Sequence, residues 1–331
     1  VINEGPYELA KSYADLFDWG RDKVDVYNSK ERIFVLQVTR EGAASNLSQR
    51  TLPQYWHTTT SNSNHGRFRP GRFPLWKWGT IHGGVPLKSN YGPNLFSTVK
   101  DPRYEVSYIH SGYTNMNTGK NQSVWPKNFT SHTYYLPYFK KYDDPTYDMS
   151  VTYADMYLMR FAEMYLIAAE AAASLSSGPG DANWQKAMDH MEVLLKRARQ
   201  SVAEGQPEAE YPKMSDWNCQ TRDELISAIM WERVFEMHGE NHETFDTHRR
   251  GAKWMSEWLS KPLNAFLDMP EQQYGTSYTY FSRTYHGVYL PTDYDKLRKS
   301  VLFAFPEHEF RNNGAIDSED QNDFYWSSLE N

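Results

Sequence analysis

Apolar residues recur at three- and four-residue steps through the second half of this 331-residue chain. Leu158, Phe161, Tyr165, Ala169, Ala172 and Leu175 predict one helix face, with Thr152-x-x-Asp155 placed to cap a helix beginning near Thr152. Gly178-Pro179-Gly180 stops that helix. Trp184, Ala187, Met191, Leu194 and Ala198 repeat the spacing, and the short turn between the two predicts an antiparallel hairpin. Ala168, Ala172 and Ala187 would let its axes approach closely. The pair resembles one tetratricopeptide unit, but no second copy recurs at a fixed period. A third helix opens at the capping box Thr221-x-x-Glu224, presents Leu225, Ile229, Met230, Val234 and Met237, and ends at Gly239. Residues 252–267 predict a shorter helix, and from Pro270 the chain turns aromatic and rich in turn residues.

The first half patterns differently. Tyr7, Leu9, Tyr13, Leu16 and Phe17 carry helical spacing over residues 7–18. Ile33-Phe34-Val35-Leu36-Gln37-Val38 and Thr133–Lys140 read as strands, the second leading into Asp143-Asp144-Pro145. Residues 40–131 hold Gly, Pro, Ser, Asn and aromatics with little periodicity, which predicts long ordered loops with little regular structure. Loops of that length in a compact domain usually carry function. The expectation is one mainly α domain over 1–331, with a loop-rich aromatic region at 40–131, a helical core at 152–251 and a few short strands.

Composition narrows the function. The net charge is −7, which argues against a general binder of nucleic-acid backbones. Mean hydropathy is −0.77 and no apolar run reaches the length of a membrane span. Aromatic residues make up 15%, including 11 Trp and 24 Tyr, side chains that offer a flat apolar face with a polar edge. Cys219 is the single cysteine, so no intrachain disulfide forms, and it reads as a small packed residue. The opening Val1-Ile2-Asn3-Glu4-Gly5-Pro6 has neither the basic nor the apolar region of an export signal.

Motifs that could carry catalysis are weak. Glu232 and Glu236 lie one turn apart on a helix, but an acid/base pair needs unequal environments. Fixed Arg–carboxylate pairs that tie a helix to its following loop are the better reading, and Asp246 with Arg249 fits the same role. His238 and His242 have a zinc-compatible spacing, with His248 nearby, but Gly239 interrupts them and nothing requires a third ligand. Gly79-x-x-x-Gly83-Gly84 lacks the Lys-Ser/Thr of a phosphate loop, and no Gly-x-Ser-x-Gly element occurs. No catalytic residue, metal or cofactor is expected. The aromatic loops are better site candidates. In an extended segment Trp76 and Trp78 would point the same way and share one platform. Trp56, Tyr91, Tyr113 and Trp125 lie in the same region. Arg67, Arg69, Arg72, Asn62, Asn64 and Asn90 could supply donors, and Arg69 is expected to join the rings in the site. A single aromatic is more often buried, but a cluster this dense is expected to be a ligand surface on which a sugar ring can lie.

Four stretches, in order, resemble the SusD/RagB family of nutrient-binding outer-membrane lipoproteins. They are Tyr13-Ala14-Asp15-Leu16-Phe17 with Asn28 and Glu31-Arg32-Ile33-Phe34; Phe96 with Asp101-Pro102-Arg103; Arg160 through Ala171; and Glu232-Arg233 through Glu236, Gly239-Glu240 and Phe245-Asp246 to Arg249-Arg250-Gly251. Phe303-Ala304-Phe305-Pro306-Glu307 resembles the family's closing segment. The resemblance implies a SusD-like fold of tetratricopeptide-type hairpins and long loops, on the outward face of the outer membrane. It implies binding of an oligosaccharide or polysaccharide, delivery to a SusC-like TonB-dependent transporter, and no catalysis. Family members also carry further N-terminal helices and a lipidated cysteine that this chain lacks, so the expectation is a C-terminal portion or short member. Its membrane contact would be only through that absent anchor. Two alternatives stand beside this. One is a glycoside hydrolase using Asp143/Asp144 or Glu232/Glu236, and the other is a helical-repeat scaffold that binds protein.

Overall fold

The computed structural model describes residues 1–38, 45–57, 59, 66–86, 96–124, 137–147, 151–269, 278–280, 283–285 and 289–300. Its contacts divide into two compact units, Val1–Glu240 and Asn241–Asn331. The first holds, in order, α1 (Val24–Tyr27), β1 (Arg32–Leu36), α2 (Leu47–Thr51), α3 (Arg72–Ile81), β2 (Gly84–Pro86), β3 (Phe96–Val99), α4 (Pro102–Ser107), β4 (Tyr108–Ile109), β5 (Gly112–Asn115), β6 (Lys120–Ser123), β7 (Tyr138–Phe139), β8 (Met156–Arg160), α5 (Phe161–Leu175), α6 (Ala182–Gln200) and α7 (Arg222–Met237). The fold is mainly α, and among the described residues its strands pair in twos: β1 with β8, β2 with β3, β4 with β7 and β5 with β6, all antiparallel.

The helical hairpin forms as its periodicity predicts. α5 ends at Leu175 before the glycine turn, and Asp181 caps α6 by accepting from the Asn183 N–H at 2.6 Å. The alanines that bury in it are Ala162, Ala169, Ala173, Ala187 and Ala198; Ala168 and Ala172 are half-buried. α7 opens with the reciprocal Thr221–Glu224 capping box, at 3.2 and 3.0 Å. It is buried along most of its length, from Leu225 through Phe235 to Met237. Gly239 then takes a φ of +82°, and a Cβ there would come within 2.8 Å of the Phe139 ring.

Three expectations change. Residues 7–18 give only a single turn at Ala14–Leu16, because Ser12 and Asp15 hydrogen-bond local backbone N–H groups and compete with helix. Tyr13, Leu16, Phe17 and Trp19 still bury together against Tyr157. The core helix starts at Phe161, not near Thr152. Asp155, rather than capping it, accepts from Arg32 and from the Val38 N–H at 2.8 Å, and Leu158 falls in β8, where it is exposed. Finally, residues 40–131 carry short helices and paired strands, not only loops. α4 is set by Asp101 accepting from the Arg103 N–H, with Pro102 in its first turn.

Among its described residues, the second unit contains α8 (Glu243–Arg249), α9 (Gly251–Trp254), a wide π turn (Met255–Ser260), α10 (Lys261–Asp268), the β9–β10 ladder (Tyr278–Tyr280, Arg283–Tyr285) and a further helix, Tyr294–Ser300. Asn264 exchanges hydrogen bonds with the Leu290 backbone at 2.9 Å, and Arg249 pairs with Asp246 at 2.9 Å. Phe303–Glu307 lies outside the described residues.

A buried ionic network holds the first unit together. Arg160 reaches Glu236 at 2.7 Å, Glu240 at 2.9 Å and Glu31 at 3.0 Å. Arg197 joins Glu236 to Glu31, Arg103 joins Asp101 and Glu232, and Lys141 holds Glu240 at 2.6 Å. These side chains are all buried. Five carboxylates thus face three arginines and a lysine, and His82 supplies the fifth positive charge. Burial alone would push the His82 imidazole down. The Glu232 carboxylate at 2.5 Å and a hydrogen bond to Asp216 outweigh it, giving a pKa of about 9. Glu232, which burial would raise, is instead held down to about 2 by His82 and Arg103. Replacing such a network with apolar groups can be neutral, but removing one partner leaves a buried charge uncompensated.

Arg160→Met should therefore destabilise the protein by about 3–5 kcal/mol in urea unfolding. Lys23→Met, which deletes an exposed pair with Asp18, should change the midpoint little; equal midpoints would contradict the network's role. Stability should also peak near pH 6.5. His82 has a raised folded pKa, so its contribution is full below about 6.5 and is lost as pH rises through about 9. His238 is pushed down to about 3 by burial, then by Lys141. The unfolded chain therefore takes up a proton there that the folded chain refuses, and stability falls from about pH 6.5 toward 3. His82→Gln should flatten the alkaline limb of unfolding free energy against pH, and an unchanged limb would overturn the assignment.

Candidate functional site

The Trp76-Lys77-Trp78 run is helical, inside α3, so residues two apart lie about 200° apart around the axis. The shared indole platform expected for an extended segment does not form. Trp78 is fully buried, donates through Nε1 to Asp101 at 2.8 Å and stacks on Phe235 at 4.8 Å. It is a core residue. Trp76 is half-buried and lies nearly parallel to Phe73 at 5.9 Å. Lys77 lies 5.3 Å from the Trp217 ring, and burial lowers its pKa.

A different aromatic cluster does reach the surface. Its base is the buried set Leu52, Ile109, Val124 and Tyr147, on which Trp56, Tyr113 and Tyr138 pack half-buried. Trp56 and Tyr113 meet edge to face at 5.7 Å, and Tyr113 meets Tyr138 at 6.4 Å. Each ring comes from a separate element. Trp56 follows α2, Tyr113 sits on β5 opposite Gln122, and Tyr138 sits on β7 opposite Ile109. Asp143 fixes the first ring by accepting from Trp56 Nε1 at 3.0 Å, and it also pairs with His57 at 2.7 Å. Tyr55 occupies the left-handed region at φ +60°, and its carbonyl accepts from the Met116 N–H at 3.0 Å, tying this segment to the β5–β6 turn. A strained non-glycine residue next to the ring cluster fits a built surface.

Arg69 completes the cluster. Its guanidinium lies 3.3 Å over the centroid of Tyr138, and its Nε donates to the Gly66 carbonyl at 2.6 Å. Gly66 has a φ of +49°, and a Cβ there would collide with the Tyr138 ring, so glycine lets residues 66–69 lie across it. Phe68, 48% exposed, extends the apolar surface, with the Arg50 guanidinium 5.9 Å from its ring. The Tyr113 hydroxyl is pushed to about 12 by burial first and Tyr138 second, so it stays a hydrogen-bond donor at neutral pH. The cluster can therefore offer ring faces and edges beside hydroxyl and guanidinium donors.

Of the residues singled out from sequence, Trp56, Tyr113 and Arg69 come together here. Trp76 and Trp78 do not join them, and Tyr91 and Trp125 lie outside the described residues. Tyr138, Phe68 and His57 were missed. Tyr138 had a usable signal, its place in a strand directly before Asp143. The Phe68–Arg50 approach crosses from one segment to another and has none.

The other candidate chemistry is occupied by structural bonds. Glu232 and Glu236 belong to the buried network. Asp144 accepts from Thr146, Thr152 and the Tyr153 N–H, and is buried. His238 bonds the Tyr108 hydroxyl in the core. Among the described residues, no group of three or more His, Cys, Asp or Glu is placed to hold a metal, and no helix is long and apolar enough to cross a membrane. Burial raises the Cys219 thiol to about 11. A separate open depression is bordered by Glu8, Asp15, Asp18, Asp22, Asp25 and Lys30, and no aromatic side chain lines it.

The solved structures this chain is similar to show the same fold at low identity. A SusD homologue from Bacteroides thetaiotaomicron VPI-5482 superposes with a TM-score of 0.61 at 13% identity, covering 97% of this chain and 56% of that one. A SusD superfamily protein from Parabacteroides distasonis ATCC 8503 gives 0.55 at 14%, over 98% and 55%. Surface glycan-binding protein A from Bacteroides thetaiotaomicron, solved in complex with laminarihexaose, gives 0.50 at 16%, over 98% and 57%. The chain thus spans a little over half the length of the structures it matches. No curated protein matches it. The SusD family model matches residues 22–326, which with the shared fold establishes that this chain belongs to the SusD family.

Proposed function

We propose that this chain is a non-catalytic, cell-surface glycan-binding protein that passes an oligosaccharide to a SusC-like TonB-dependent transporter in the outer membrane. The observation that carries the reading is the half-exposed cluster of Trp56, Tyr113 and Tyr138, drawn from three segments and pinned by Asp143 and Arg69. Sugar C–H faces pack on such rings, while Arg69 and the tyrosine hydroxyls bind sugar oxygens. A relative of the same fold was solved with laminarihexaose, which supports a saccharide as the ligand. A shallow surface of a few rings buries little area, so affinity per site is low.

Hydrolysis is the weaker reading. The carboxylates it would need, Glu232, Glu236, Asp143 and Asp144, are held by cations or hydrogen-bond donors, and three of the four are buried. Nothing poises one as a proton donor beside a second as nucleophile. A protein-binding scaffold remains the other class, and the exposed Ile167 and Leu175 on α5 are where it would bind.

On a glycan array, Trp56→Ala and Tyr138→Ala should each weaken binding about tenfold, the loss of a stacking contact of roughly 1–1.5 kcal/mol. Trp76→Ala should leave binding nearly unchanged. Trp78→Ala should instead lower unfolding free energy by about 3–5 kcal/mol, as a buried large-to-small change does. Binding that survives both ring deletions in the cluster, or reducing ends released from the glycans, would overturn the proposal.

A further inference from the structure

We propose that the aromatic cluster selects an anionic glycan, one bearing carboxylate or sulfate groups. This rests on the cluster being the glycan surface, and it adds the ligand's charge. The first observation is a segregation of charge along the chain. Residues 42–142 contain twelve Lys and Arg but only two acids, Asp101 and Glu105. The remaining residues hold 23 Lys and Arg against 40 acids, within a chain whose net charge is −7. The half-buried rings Trp56, Tyr113 and Tyr138, and the exposed Phe68, all come from that cationic stretch.

The second observation is where those cations go. Arg103 and Lys141 are neutralised inside the buried network, so they add nothing to the surface. Both acids are also engaged: Asp101 by Arg103, and Glu105 by His110 at 2.8 Å and Thr98 at 2.9 Å. Arg50 stands beside Phe68 and Arg69 over Tyr138, and Arg67, next to Phe68 in sequence, is exposed. Lys120 is exposed at the end of the β5–β6 hairpin whose turn is bonded to Tyr55. Among the described residues, Asp143 and Asp144 follow β7 and are the acids next in sequence to these rings. Asp143 is already shared by Trp56 and His57, and Asp144 is buried with its oxygens accepting from Thr146, Thr152 and Tyr153.

The guanidinium is the third part of the argument. Its planar fork matches carboxylate and sulfate oxygens in a way an ammonium does not, and three of the four named cations are arginines. Stacking on Tyr138 holds the Arg69 plane against the ring without removing its charge. A neutral sugar would gain the ring contacts alone. An acidic sugar adds charge-assisted hydrogen bonds next to them, and salt would weaken that part of the binding.

Affinity electrophoresis of the full chain tests this, using polygalacturonate, carrageenan, neutral laminarin and dextran, and poly-glutamate as a sugar-free polyanion. At least one acidic glycan should bind about tenfold more tightly than either neutral one and than poly-glutamate. That preference should shrink several-fold on raising salt from about 0.05 to about 0.3 M. The exposed double variant Arg67→Gln/Lys120→Gln should lose at least fivefold toward the acidic glycan with an unchanged circular dichroism spectrum. Preference for polygalacturonate assigns carboxylate, and preference for carrageenan assigns sulfate. Equal binding of neutral glycans, lost on Trp56→Ala, would overturn the anionic selection and leave the glycan-binding reading standing. Equal retention by poly-glutamate would overturn selection of a glycan. If no glycan is retained, both readings fall together.

Discussion

The first unit depends on a buried set of opposite charges centred on Glu236. Two guanidinium groups converge on its carboxylate at 2.5 and 2.7 Å, and a third approaches at 3.4 Å, with bulk water excluded. In a low-dielectric interior every one of those groups must be matched, so each segment that contributes one is fixed in place. Arg103 and Asp101 fix the start of α4. Arg160 fixes the end of β8, Arg197 fixes α6, Glu31 fixes the entry to β1, and Lys141 fixes the chain just past β7.

This constraint extends to the surface rings through short covalent paths. α4 runs directly into β4, whose Tyr108 and Ile109 pair with Phe139 and Tyr138 of β7. Two residues on from β7, Lys141 returns to Glu240 and to the Glu236 carbonyl. Two further on, Asp143 holds Trp56 and His57. Tyr138 and Trp56 therefore sit between anchors in the charged core, which is how a surface assembled from short, separate segments gains the rigidity that weak, stacking-based recognition needs.

The helices were legible because their apolar spacing, caps and stop residues agree, as at Thr221, Glu224 and Gly239. Seven charged residues of the stretches that carried the family resemblance, Glu31, Asp101, Arg103, Arg160, Glu232, Glu236 and Glu240, are members of the network. The motif was readable while its cause was not, because seven charges scattered over 210 positions have no local pattern. At the site the legible part was chemical: an aromatic-rich, loop-rich region. The choice of rings was not legible. Trp76 and Trp78 depended on whether their segment was extended or helical, and tertiary packing of α3 on α7 decided that. Tyr138 and Arg69 meet only through β7 and Gly66, contacts that sequence spacing does not encode.

The account's central claim is that ligand lies on Trp56, Tyr113 and Tyr138, with the tryptophans of α3 serving the core. Hydroxyl-radical footprinting read by mass spectrometry tests it in one measurement, with and without a glycan that the protein binds. Ligand should protect the peptides carrying Trp56, Tyr113 and Tyr138 and leave oxidation of Trp76 unchanged, while Trp78 stays unreactive in both states. Protection at Trp76 with none at the three-ring cluster would contradict it.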